Sequence, residues 1–104
     1  MELAKAIYTL TDKLPKNEKC GLISQMRRAA VSIPSNIAEG YKRKNLGEYI
    51  QFLYIADASG AELETQLLLA KDLFPKTNPS ESESLLEEVQ KMLIVMIKKL
   101  NAKR

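Results

Sequence analysis

Five cations grouped around one predicted helix are the side chains of this sequence best suited to binding a ligand. They are Arg27 and Arg28 within the helix, and Lys42, Arg43 and Lys44 where it ends. Contacts from such side chains to phosphate groups dominate the affinity of proteins for nucleic acid. A run of Lys and Arg near a turn is also common as a plain solvated surface. We therefore treat these five residues as candidate nucleic-acid-binding residues.

Residues for catalysis or metal binding are scarce. The chain has no histidine and one cysteine, Cys20, so the commonest general base and the commonest neutral metal ligand are missing. Glu62 and Glu64 could be a catalytic pair, but residues two apart on a helix point about 200° away from each other. A reactive thiol at Cys20 is less favoured than an incidental residue. We expect no enzyme activity, no metal and no cofactor.

Charge is distributed unevenly along the chain, whose net charge is +3 at neutral pH. Residues 19–44 hold six cations and one acid, whereas residues 47–73 hold five acids and one cation. This asymmetry favours either anion binding by the second helix or its pairing with Glu62 and Glu64 of a neighbouring subunit. Tyr41 is the only aromatic residue among the cations, so we expect binding by shape and charge rather than by base stacking.

The apolar spacing predicts four amphipathic helices, at about residues 2–14, 19–42, 47–74 and 81–101. At 104 residues the chain is expected to form one domain, residues 1–104. Short connections favour antiparallel neighbours. The predicted fold class is therefore all-α, an antiparallel up-down four-helix bundle.

Two further features belong to these helices. Gly60 in the third helix costs about 1 kcal/mol relative to alanine, and we expect it to allow close helix approach. Basic residues end the fourth helix, which suits the helix dipole. These residues are Lys98, Lys99, Lys103 and Arg104.

No apolar run is long enough to span a bilayer, and no signal peptide is recognisable. A cytoplasmic protein without membrane contact is therefore expected.

Pro34 lies in the middle of the predicted second helix. Proline has no N–H group and crowds the carbonyl group four residues earlier, so a helix should bend or end there. The apolar residues Ala30 and Ile37 on its two sides keep one helical phase, which favours a single proline-kinked helix. The alternative is a helix that restarts with Asn36 as its N-cap and Glu39 three residues on.

Short and charged side chains share the other face of this second helix. Short side chains allow another chain to approach closely, so this face could contact a neighbouring subunit or a phosphate backbone. A polar helix face is more often simply solvated. The residues are Ser24, Arg28, Ser32, Ser35, Glu39 and Lys42.

A resemblance to a known family is carried by the run RRAAVSIPSNIAEGYKRKN, followed by EYIQFLYIADASGAELETQLLLAKDL. It resembles the 23S rRNA-intervening-sequence proteins, a bacterial four-helix-bundle family that includes relatives of the accessory variability determinant of diversity-generating retroelements. The match extends over nearly the whole chain and is densest over residues 21–73. The chain departs from the family in a short first helix, a brief tail, and Ala58-Ser59-Gly60 where relatives more often have Gly-Ser and an apolar residue.

The resemblance implies a bundle that assembles as a homo-oligomer, in relatives as a homopentamer, with nucleic acid and a reverse transcriptase as partners. We therefore expect a non-enzymatic bundle that binds structured RNA or DNA through its basic second helix. The alternative is a protein-interaction scaffold, for example a reverse-transcriptase accessory factor, without direct nucleic-acid binding. The expected motif or subunit-contact residues are Ser32, Pro34, Ser35, Asn36, Glu39, Gly40, Glu62 and Glu64.

Overall fold

The computed structural model describes residues 1–15 and 21–104, and within these ranges it contains four α-helices and no strand. Neighbouring helices pack antiparallel, α2 between α1 and α3, and α4 between α3 and α1. The predicted all-α, up-down four-helix bundle is therefore confirmed. Within residues 1–15 and 21–104, none of the helices combines the length and the hydrophobicity that a membrane-spanning segment requires. The helices are α1 (Glu2–Asp12), α2 (Leu22–Tyr41), α3 (Leu46–Leu73) and α4 (Ser80–Asn101).

The core follows the apolar periodicity of each helix. In α1, for example, Leu3, Ile7 and Leu10 are buried because steps of four and three residues place them on one face. A helix of eleven residues is only about 16 Å long, whereas the bundle extends over 46 Å. Helix α1 therefore covers only about a third of the length of the bundle. The predicted start of α2 at Lys19, and Cys20, lie outside the described residues.

Helix α2 continues through Pro34 without a break. Asn36 is not an N-cap, because its side-chain amide donates a hydrogen bond of 2.8 Å to the carbonyl oxygen of Ser32. The alternative of a helix that restarts at Asn36 is thus wrong, and the single helix is correct. The bend at Pro34 stays a prediction.

Close helix packing occurs at Gly40 and not at Gly60. A Cβ atom added to Gly40 would lie 2.7 Å from the Cβ of Phe52, closer than real Cβ atoms approach. At Gly60 the nearest atom would be the Cγ of Gln90 at 3.6 Å, an ordinary contact. The prediction for Gly60 is therefore wrong, because the third helix leaves room there for a methyl group.

The up-down topology brings the α2–α3 turn and the end of α4 to one end of the bundle. Asn45 caps α3 by accepting a hydrogen bond of 3.1 Å from the backbone N–H of Glu48, which keeps the turn short. The C-terminal Arg104 lies against this turn, since a Cβ atom on Gly47 would be 3.0 Å from its Nη2 atom. Residues far apart in sequence are thereby collected at this end.

Candidate nucleic-acid interface

The SIPSNIAEG segment, residues 32–40, lies where α2 packs against α3. Ser32 Oγ and Ser59 Oγ share a hydrogen bond of 2.9 Å, and Asn36 Nδ2 donates to Ser32 Oγ, also at 2.9 Å. Gly40 follows one turn later, against Phe52. Steps of four residues place Ser32, Asn36 and Gly40 on one helix face. These three motif residues therefore make contacts within the chain.

The other motif residues of α2 lie outside this helix face. Pro34 is half-buried, and Ser35 and Glu39 are exposed. Glu39 accepts a hydrogen bond of 3.1 Å from Arg43, four residues later in the turn that follows α2. Ser35 and Glu39 are thus the motif residues that a partner could reach most easily.

Glu62 and Glu64 are both exposed but differ in surroundings. Glu64 Oε1 accepts a hydrogen bond of 3.0 Å from Gln90 Nε2 of α4. Glu62 lies on the outer side of α3, seven residues from both Ile55 and Leu69, so the three share one face. Ile55 and Leu69 are each 42% exposed. We call Ile55, Glu62 and Leu69 the outer face of α3.

Arg27 is held by α1. Its Nε atom donates to Thr11 Oγ1 at 2.8 Å, and its Nη2 atom forms an ion pair of 2.8 Å with Asp12. Its guanidinium carbon also lies 4.5 Å from the centre of the Tyr8 ring, a cation–π contact. Arg27 therefore links α1 to α2, and a phosphate group would compete with Asp12 for it.

Arg28 is exposed and borders an open groove beside α2. It lies fourteen residues before Lys42, which corresponds to about 21 Å along the helix. The sequence-predicted cations are thus divided between two levels of the bundle. The groove is lined by Tyr8, Gly21, Ile23, Ser24, Arg27, Arg28, Val31, Ser32 and Ser35.

Lys42, Arg43 and Lys44 lie in the α2–α3 turn, where α4 also ends. Lys42 and Lys44 are exposed and form no ion pair within the described part of the chain. Arg43 is more restrained, because its guanidinium carbon lies 4.8 Å from the centre of the Phe52 ring and it pairs with Glu39.

Four basic residues at the end of α4 lie at the same end of the bundle as this turn. From the sequence, they are expected only to interact favourably with the helix dipole. All four are exposed, and the chain has no acid from Lys91 to its C-terminus. The order of helices in an up-down bundle could have indicated this grouping, since the second connection and the C-terminus then share an end. We call the seven residues the basic end: Lys42, Arg43, Lys44, Lys98, Lys99, Lys103 and Arg104.

Tyr41 lies beside the basic end as the last residue of α2. It is 75% exposed, more than any other large apolar or aromatic side chain that the structure describes. Its ring packs edge-to-face against Tyr49, with ring centres 6.1 Å apart and planes at 80°. One side of the ring is thereby supported and most of its surface stays open to solvent.

These features define an all-α bundle with a concentrated positive charge and, in residues 1–15 and 21–104, no group of side chains that could hold a metal ion. The family model of the 23S rRNA-intervening sequence proteins matches residues 1–95. The chain therefore belongs to this family, which confirms the resemblance.

The fold is also similar to the crystal structure of another protein, a protein with unknown function from the S23 ribosomal protein family of Bacteroides thetaiotaomicron. The two structures align with a TM-score of 0.80 and 28% sequence identity. The alignment covers 93% of each chain. No curated protein among those compared with the chain matches it. Neither the family nor the solved structure indicates a catalytic class.

Proposed function

We propose that this protein is a non-enzymatic, homo-oligomeric bundle that binds structured RNA, or another nucleic acid, through its basic end. The observation that supports the proposal is the grouping of seven Lys and Arg side chains at one end of the bundle. Glu39, the acid nearest to them on α2, is already paired with Arg43. Exposed cations without intramolecular partners can release counterions from phosphates, which is the main source of such affinity.

The proposal shifts the main contact surface from the body of α2 to the basic end. Arg27 contributes little, because it is committed to Asp12 and Thr11. Arg28, roughly 21 Å from Lys42 along the helix, belongs to the groove beside α2 and is assigned to the contact between subunits instead.

Self-association is the second part of the proposal. The outer face of α3 combines apolar Ile55 and Leu69 with the acidic Glu62, whereas the groove beside α2 combines Val31 with the basic Arg28. Such surfaces complement each other in charge. Because the two surfaces differ, repeated contact generates a ring or a filament. A ring of five is the number that the family resemblance implies.

A protein-interaction scaffold is the second candidate function. The exposed apolar residues of α3 favour it, because they would suit a partner protein, such as a reverse transcriptase, as well as another subunit. In this case nucleic acid would have no part, and the basic end would be only a solvated surface.

Fluorescence anisotropy with a labelled RNA hairpin and nuclease-treated protein separates the two candidates, with light scattering on the same sample. We expect binding that weakens steeply as salt rises. A variant with Lys42, Arg43 and Lys44 changed to glutamine should bind more weakly and with a flatter salt slope. The matched control changes Lys71 and Lys76, which lie at the opposite end. A well-formed oligomer that fails to bind at low salt would favour the scaffold.

A further inference from the structure

We infer that the ring of Tyr41 stacks on an unpaired base, so that the basic end takes nucleic acid with exposed single-stranded or loop nucleotides. This inference rests on the proposed function and names the part of the nucleic acid that is bound. It also revises the expectation, drawn from the sequence, that base stacking has no role.

The side chain of Tyr41 is more exposed than those of the other tyrosines. Among the four tyrosines, Tyr41 is 75% exposed, whereas Tyr8 and Tyr54 are 44% and 49% exposed. Tyr8 has the guanidinium group of Arg27 over its ring at 4.5 Å, and the hydroxyl group of Tyr54 accepts a hydrogen bond from Asn101. Tyr49 is half-buried against the core. Tyr41 is thus the tyrosine with the largest exposed fraction, which leaves the most surface for a flat ligand.

The ring of Tyr41 is held in place by its neighbours. Tyr41 is attached to the last turn of a helix of twenty residues, and its ring rests edge-to-face on Tyr49. An aromatic ring that is held in this way loses little conformational freedom when a base stacks on it. A free ring on a loop would have to be ordered first.

Positive charge lies beside the Tyr41 ring. Lys42 follows Tyr41 directly, Lys44 comes two residues later, and both are exposed. The bases of α4 lie at the same end of the bundle. Surfaces that bind single strands combine cations for the backbone with aromatic rings for the bases. Double-stranded RNA instead keeps its bases stacked inside and is recognised through phosphates and hydroxyl groups. An exposed tyrosine among the cations therefore favours unpaired nucleotides.

The test compares a labelled oligouridylate of about twelve nucleotides, a length within the range of known single-strand sites, with a blunt RNA duplex of similar length. Tyr41→Leu keeps an apolar side chain and removes the aromatic ring, whereas Tyr41→Phe keeps the ring. Because the cations are retained, the salt slope should not change in either variant. We expect Tyr41→Leu to weaken single-strand binding about fivefold to 150-fold, the range typical of one stacked base. Duplex binding should be unchanged, and Tyr41→Phe should bind like the original protein.

The outcomes separate the two proposals. If the original protein binds neither probe, the proposed nucleic-acid function is wrong. If it binds both probes and Tyr41→Leu binds the oligouridylate equally well, the stacking inference is wrong and the proposed function stands. Equal weakening on both probes would also overturn stacking, since Tyr41 would then act on the shape of the basic end. Circular dichroism and light scattering establish that each variant retains its helices and its mass.

Discussion

Gly40 is the residue on which the packing of α2 against α3 depends most closely. Its missing side chain lets the backbone approach Phe52, whose Cβ would be 2.7 Å from an added Cβ atom. The hydrogen bond between Ser32 of α2 and Ser59 of α3 also needs a close approach of these two helices. The close packing of α2 against α3 within one chain therefore explains why the SIPSNIAEG segment has a glycine at position 40.

We expect Gly40→Ala to lower the free energy of unfolding by about 1–3 kcal/mol, as overpacking usually does. Gly60→Ala is the matched control, since a methyl group fits there and should stabilise the helix by about 1 kcal/mol. Urea unfolding followed by circular dichroism measures both. A Gly40→Ala midpoint at or above that of the original protein would contradict the packing argument.

Gln66 is a buried polar residue of α3 whose side chain is not fully hydrogen-bonded. The residue is 7% exposed, and its buried Oε1 atom has no hydrogen-bond donor among residues 1–15 and 21–104. A buried acceptor without a partner costs about 1–3 kcal/mol. The unpaired acceptor of Gln66 therefore lowers the free energy of unfolding.

Replacing Gln66 by methionine should raise the free energy of unfolding by about 1 kcal/mol, because a side chain of similar shape removes the unpaired acceptor. Thermal unfolding measures the change. The exposed Gln51→Met is the control and should leave the melting temperature nearly unaltered. A lower melting temperature for Gln66→Met alone would mean that the amide is satisfied in solution.

At the scale of the helices, α1 is the element that depends most on its neighbours. Eleven residues are too few for a stable isolated helix. Leu3, Ile7 and Leu10 attach it to the core, and Arg27 adds a hydrogen bond, an ion pair and a ring contact. One arginine thus serves as the polar link between α1 and α2.

Arg27→Ala should reduce the protection of α1 amides from hydrogen exchange and lower stability by about 1 kcal/mol, because the partly exposed ion pair contributes little by itself. Arg28→Ala is the matched control, since Arg28 is exposed and has no such contacts to α1. We expect Arg28→Ala to keep the protection of α1. Equal loss of α1 protection in both variants would argue against the link.

At the scale of the whole molecule, charge is segregated between surfaces that face different directions. The groove beside α2 carries Arg28, and the outer face of α3 carries Glu62. A contact between copies through these surfaces places opposite charges together. Reversal of one charge then puts like charges in contact, which costs free energy, and reversal of both restores the attraction.

Accordingly, Arg28→Glu should reduce the mass of the oligomer, and the double variant with Glu62→Arg should recover it. Light scattering at low salt measures the mass, where screening is weakest. Glu64→Arg in place of Glu62→Arg is the control, because Glu64 is bonded to Gln90 of its own chain. Failure of Glu62→Arg to restore assembly would remove the support for this contact between subunits.

The positions of the helices follow from local patterns and could be predicted. Helix α3 was predicted at 47–74 and is found at Leu46–Leu73, because its apolar period and the breakers around it act over a few residues. The candidate site was only partly predictable. Arg27 and Arg28 are adjacent in sequence, but successive residues on a helix point 100° apart, so one faces α1 and the other faces solvent.

The helical fold class, the family and the cations available for binding can be predicted from the residues alone, since they depend on residue type and periodicity. Which of those residues act together depends on how the helices pack. The tertiary structure assigns Ser32, Asn36 and Gly40 to packing within the chain, and it joins the α2–α3 turn to the end of α4. The physical reason is that helix period is local, whereas contacts between helices depend on the direction and separation of elements distant in the chain.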